Sequence, residues 1–220
     1  MNGTIKLFGN NICPYSQRSI LSMLELDIEF SFINIDFINP PPWLSEISPL
    51  NTVPVLQTSN TTIYHSSSII EYINEISLYK LLPYSAHKNA IVRSACNYIN
   101  HIHSTLKNCI SCINKNSYTD RILKLEEELG ILFSVLLPTK HDANKLDMIN
   151  IYLIPLLVLI NVLEKHGPTH ISIPKRGEDI NNILLNRDST RKINNDTYLK
   201  LILSFIFTTE NSTLNYIEGK

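Results

Sequence analysis

Apolar positions in the first 77 residues switch repeatedly between strand-like and helix-like spacing. Ile5–Phe8 reads as a short strand and Pro14–Leu26 as a helix. Ile28–Ile35 reads as a second strand, with apolar positions at Ile28, Phe30, Phe32 or Ile33, and Ile35. Asn39-Pro40-Pro41-Pro42 breaks the chain, and Trp43–Ile47 is at most a short helix. Val53–Gln57 and Thr61–Tyr64 read as strands around the turn-forming cluster Thr58-Ser59-Asn60. Ser66–Ile76 then carries helical spacing at Ile69, Ile70 and Ile73, and Ser66 is placed to cap it. The order is βαβ followed by ββα.

From about Lys88 the pattern becomes wholly helical. Ala90–Ile113 is long, with no internal Pro or Gly. Thr119–Leu137 carries Lys124 and Glu128 at i,i+4 with leucines opposite, and Glu126-Glu127-Glu128 reads as a solvated face. Asp147 opens Asp-Met-Ile-Asn, an N-cap with a polar residue three places on. The helix it starts is apolar nearly all round, which belongs at the centre of a domain. Pro155 should kink that helix and Gly167-Pro168 should end it. The expected organisation is an α/β domain over 1–77, a linker over 78–87 containing Pro83, and an all-helical domain over 88–220.

Composition adds limits. The chain has 220 residues, 44% hydrophobic and 18% charged, which suits one or two substantial cores. Net charge is −1, which gives no general reason to bind nucleic acid. The four cysteines, without a recognisable signal segment, do not suggest a disulfide framework. The longest apolar stretch, Ile149–Leu163, is interrupted by Asn150, Pro155 and Asn161 and falls short of the roughly 20 residues of a membrane span. A soluble, cytoplasmic protein without membrane or direct nucleic-acid contact is the expectation.

Cys13-Pro14-Tyr15-Ser16 carries the candidate chemistry. It lies between the first strand and the first helix, where the helix N-terminus stabilises a thiolate. Proline suits the first turn. Ser16 stands where a second cysteine would make a dithiol pair, so chemistry here is monothiol. A buried, unreactive cysteine explains position 13 equally well. His101, His103, Cys109 and Cys112 look at first like metal ligands. In one helix, however, the two histidines point about 200° apart, and His101 lies some 12 Å along the axis from Cys109. No tetrahedral site can gather them, so no metal is expected.

Together these pieces resemble the glutathione transferase superfamily, a thioredoxin-like domain joined by a linker to a helical domain. The resemblance implies an α/β thioredoxin-like N-terminal domain, an all-α C-terminal domain, and a cis bond between Val53 and Pro54. Within the superfamily, the chain resembles the bacterial stringent starvation protein A family, regulators associated with RNA polymerase. Cys13-Pro14-Tyr15-Ser16 and Ser48-Pro49-Leu50-Asn51-Thr52-Val53-Pro54-Val55-Leu56 carry the general likeness. Ile151-Tyr152-Leu153-Ile154-Pro155-Leu156-Leu157 and Leu184-Leu185-Asn186-Arg187-Asp188-Ser189 carry the likeness to the regulators. Where the superfamily usually has Glu or Gln to hold the glutathione ammonium, this chain has His65. Where the regulators often have an arginine, it has Ile20, with Arg18 nearby.

The resemblance implies a non-catalytic transcription regulator that binds RNA polymerase, with Leu78, Tyr79 and Lys80 aligned to the contact patch. It implies a homodimer, or a heterodimer with a paralogue, and no cofactor. The alternative is a glutathione-dependent monothiol transferase similar to the omega class or glutaredoxins. Cys13 would then be the nucleophile, in a pocket formed by Tyr15, Ser16, Val53, Pro54, His65 and Ser66.

Overall fold

The computed structural model describes residues 4–112, 115–137, 141–145, 147–167 and 170–208. The chain divides into two compact units, Met1–Leu82 and Pro83–Lys220.

The first unit runs β1 (Lys6–Gly9), α1 (Pro14–Glu25), β2 (Ser31–Asn34), α2 (Leu44–Ile47), β3 (Val55–Gln57), β4 (Thr62–Tyr64) and α3 (Ser66–Ile76). Its sheet has the order β2-β1-β3-β4, with β1 and β2 parallel and the other pairs antiparallel. Side chains alternate across a strand, so Leu7 and Leu56, paired in register, share one face and Phe8 and Val55 the other. Phe8 and Val55 join Ile35 and Leu44 in one buried cluster, and the Trp43 ring packs edge-on against Phe8 at 5.2 Å. On the other side α1 packs against α3, burying Leu21, Ile69, Ile70 and Ile73 completely. The strand expected over 28–35 is shorter because the Ile28 N–H bonds to the Met23 carbonyl, closing off α1.

The second unit is helical: α4 (Ala86–Ile110), α5 (Lys115–Ile131), α6 (Met148–His166), α7 (Lys175–Leu185), α8 (Asp188–Ile193) and α9 (Asp196–Thr208). α4 begins at Ala86, inside the segment expected as linker. α5 continues into one π-helical turn, Leu132–Leu136. The carbonyls of Phe133 and Leu137 there accept from Arg176 at 2.8 and 3.3 Å. The acidic run at 126–128 is exposed to solvent only at Glu127. Glu128 is buried against α4, where its carboxylate meets the His101 ring at 2.9 Å, and Glu126 accepts from the Ser172 N–H.

α6 is the core of this unit, buried on nearly every side, and it runs through Pro155 uninterrupted. With 19 residues it has the length and apolarity of a membrane span, more than the sequence suggested, yet 83% of that window is buried inside the protein. Gly167 caps it by donating to the Leu163 carbonyl; Pro168 lies outside the described residues. At its start Asp147 accepts from the Asn150 N–H at 2.8 Å, and Asn150 Oδ1 meets the His141 ring at 2.9 Å. Burial raises the Asp147 carboxyl pKa, against the pull of the Asn150 N–H and His141. Folding therefore favours its protonated form. Its contribution to stability is fullest below the ordinary carboxylate range and is lost as the pH rises through the raised value. Asp147→Ala should cost about 1 kcal/mol at neutral pH, the scale of a lost N-cap. In urea titrations the cost should be larger at about pH 4 than at pH 7.

Candidate active site

The site is assembled by strand register. Phe8 pairs with Val55 and Val55 with Tyr64, one row across β1, β3 and β4. The C-terminal end of β1, the N-terminal end of β3 and the C-terminal end of β4 therefore share one edge of the sheet. Val53-Pro54 and His65-Ser66 adjoin two of those ends directly, and Cys13 lies four residues beyond the end of β1. Adjacent strands lie about 4.8 Å apart, so β1 and β4 stand two spacings from each other there.

Cys13 is the N-cap of α1, extended at φ −77° and ψ 118°, a free cysteine 8% exposed. Asn10 fixes the turn that carries it. Its carbonyl accepts from the Cys13 N–H at 3.1 Å, and its side chain accepts from Ile12 N–H at 3.0 Å and donates to the Ile35 carbonyl at 2.8 Å. Its own N–H donates to Ser16 Oγ at 3.1 Å. Ser16 is wholly buried, so it holds the turn rather than lining an open pocket. Gly9 lies below; a Cβ there would come within 3.0 Å of Ser16 Oγ and 2.9 Å of the Phe32 ring.

The Val53-Pro54 peptide is cis, with Val53 half-buried and Pro54 buried. His65 is exposed and holds a left-handed backbone, φ 76°, unusual for a residue with a side chain. Its Nδ1 lies 2.7 Å from Ser67 Oγ. His65, not Ser66, is the N-cap of α3, and Ser66 makes no side-chain cap. Its hydroxyl accepts instead from Arg18, whose Nε and Nη2 lie at 2.9 and 2.5 Å. Arg18 is 1% exposed, and its guanidinium lies over the Tyr15 ring at 4.8 Å. Sequence places Arg18 only near the arginine that the resemblance leads one to expect at position 20. The available signal was a charged residue in helical phase with Leu21 and Ser22, on the face that packs inward.

Leu78, Tyr79 and Lys80 do not join this group. They follow the C-terminus of α3, about 16 Å along the helix from Ser66. Leu78 and Tyr79 are exposed, while Lys80 caps the helix, donating to the carbonyls of Asn74, Glu75 and Ser77. A cavity of about 910 Å3 in the same unit is lined by Ile5, Asp27, Ser31, Asn60 and Tyr72 among others. Those residues lie at the opposite end of the sheet from Cys13, so the cavity takes no part in the thiol site. In the helical unit His101, His103 and Cys109 lie on α4, with Cys112 just beyond it. Burial pushes the Cys109 thiol up to about 12, so it is protonated at neutral pH.

Residues 12–76 match the family of glutathione S-transferase N-terminal domains. The chain is similar to glutathione S-transferase omega-2 of Rattus norvegicus, 29% identical over 137 residues, 61% of this chain and 55% of that protein. It is similar to glutathione S-transferase omega-1 of Sus scrofa, 28% identical over 167 residues, 74% of this chain and 69% of that protein. The match thus spans only about half the length of the rat relative. Among solved structures, rice GST1 in complex with glutathione superposes with a TM-score of 0.78 at 18% identity, covering 94% of this chain and 96% of that one. The fold is that of glutathione transferases.

These relatives overturn the expectation of a bacterial transcription regulator resembling stringent starvation protein A. The two helical segments that suggested it have structural reasons to look as they do. Tyr152 and Pro155 are buried inside the central helix. Arg187 donates to the Asn144 carbonyl at 3.0 Å, and Ser189 and Thr190 are buried at the start of α8. Such positions serve the packing of the helical unit and do not identify a partner.

Proposed function

We propose that this chain, a member of the glutathione transferase superfamily, is a glutathione-dependent thiol transferase of omega type with Cys13 as nucleophile. The observation that carries the reading is a free thiol at the N-cap of α1, on the same sheet edge as a cis proline and Ser66. The omega-class relatives support it.

In the reaction the Cys13 thiolate attacks the glutathione sulfur of a mixed disulfide. A Cys13–glutathione disulfide forms, and the other thiolate leaves and takes a proton from solvent. A second glutathione thiolate attacks that sulfur, releasing oxidised glutathione and regenerating Cys13. In sum the mixed disulfide is reduced to its thiol, and one free glutathione thiol is oxidised into glutathione disulfide. The backbone of Val53, beside Pro54, would hold the cysteinyl part of glutathione. Ser66 and the first N–H groups of α3 suit its γ-glutamyl carboxylate. The usual carboxylate partner for the ammonium is replaced by His65, so that group must be held otherwise or left to water. The four free, buried cysteines fit a reducing compartment, and we place the protein in the cytoplasm.

The test is reduction of hydroxyethyl disulfide by the whole protein with glutathione, alongside mass spectrometry for glutathione on Cys13. Turnover above the uncatalysed rate, with adduct at Cys13, is expected. No turnover and no adduct would overturn the reading.

A further inference from the structure

We infer that Arg18 is a positioning residue that commits the Ser66 hydroxyl to donating its proton, and so makes that hydroxyl selective for a carboxylate. The inference rests on the glutathione reading above and concerns the γ-glutamyl carboxylate.

A serine hydroxyl has one proton to donate and two positions at which its oxygen accepts. Arg18 fills both acceptor positions through Nε and Nη2. Its guanidinium keeps its protons at any working pH, so those positions are never released. Arg18 is 1% exposed and Ser66 3%, which leaves water little access to exchange with either bond. Stacking on Tyr15 fixes the plane of the guanidinium and hence the direction of both donors. What remains to Ser66 is its proton, and among the described residues nothing accepts it. Ser66 is also the first residue of α3, where backbone N–H groups lack helical partners. A group meeting this corner finds only donors. A carboxylate fits, whereas a carboxamide in its place brings N–H groups that face other N–H groups. A lysine at 18 could not reproduce this: an ammonium is a point donor, without the fork that fills both positions or the plane that stacks.

Arg18 could instead be only a brace between α1 and α3, and the two roles separate by measurement. Calorimetric titration uses glutathione and its analogue with the γ-glutamyl carboxylate converted to carboxamide. The proteins are wild type, Arg18→Lys, Ser66→Ala and the double variant. Charge-assisted hydrogen bonds contribute about 1.5–3 kcal/mol, so wild type should prefer glutathione by about tenfold or more. Arg18→Lys should lose that preference while binding the analogue as wild type does. In the Ser66→Ala background, Arg18→Lys should change nothing further. Equal weakening of both ligands by Arg18→Lys, or losses that add in the double variant, would overturn the inference.

A measurement on wild type alone covers the case in which Arg18→Lys fails to fold. The Arg18 Nε–H resonance should shift when glutathione binds and stay still with the analogue. Glutathione binding without that shift, or without preference for the carboxylate, overturns the role of Arg18 and leaves thiol transfer standing. A wild type that binds neither ligand overturns both.

Discussion

Cys13→Ser should lower glutathione-dependent disulfide reduction by about three orders of magnitude or more, the scale on which losing a covalent nucleophile differs from losing a contact. It should also leave the melting temperature unchanged or slightly raised. The two effects have separate causes. A serine hydroxyl is not ionised near neutral pH and does not form the mixed disulfide on which turnover depends. Yet Cys13 is the N-cap of α1 and makes no side-chain cap bond, and serine is among the preferred N-caps. No other thiol rescues the reaction, because Cys96, Cys109 and Cys112 are less exposed than Cys13 and none stands at the N-terminus of a helix, and burial keeps the Cys109 thiol protonated. Steady-state assay and thermal melting on the same preparation check both halves. Activity retained in Cys13→Ser would remove Cys13 from the chemistry, and a lower melting temperature would make it a packing residue.

Gly9→Ala should cost about 2 kcal/mol, as overpacking in a close-packed interior does, and lower the melting temperature by roughly 4–8 °C. The added methyl would meet the Phe32 ring at 2.9 Å and Ser16 at 3.0 and 3.1 Å. Phe32 is half-buried on the edge strand and can turn aside. Ser16 cannot, since it is wholly buried and accepts from the Asn10 N–H. The first turn of α1 must therefore shift, and Cys13 with it. The expected kinetic signature is a reduced kcat toward hydroxyethyl disulfide at protein concentrations and temperatures where the variant remains folded. A Gly9→Ala protein as stable and as fast as wild type would show that the turn can absorb the methyl without moving the sulfur.

Much of the fold was legible because its signals are local. A short apolar run marked β1, and proline with helical spacing marked α1. Asp147 with Asn150 three places on marked the start of α6, and the cap forms as that spacing implies. The thiol and its neighbours at 53–54 and 65–66 were legible from their place in that order. What escaped depends on pairs far apart in sequence. Arg18 and Ser66 are 48 positions apart, and nothing in either segment announces the other. Ser66 looked like a cap because a serine before an apolar helix usually is one; the buried guanidinium takes its oxygen instead. Glu128 looked solvated because it sits in a charged run, and only the packing of α4 against α5 brings His101 to it. Lys80 looked like a surface contact, although a lysine just past a helix end often serves the last carbonyls.

The single row Phe8–Val55–Tyr64 makes the core an inspector of the candidate site. A slip of one residue between β1 and β3 would carry Val53-Pro54 and His65-Ser66 away from Cys13 by about 3.3 Å. The same slip would turn Val55 and Leu56 to the wrong faces. Copies with a misassembled site therefore fail to fold, and the folded population carries the thiol, the cis proline and Ser66 in one arrangement.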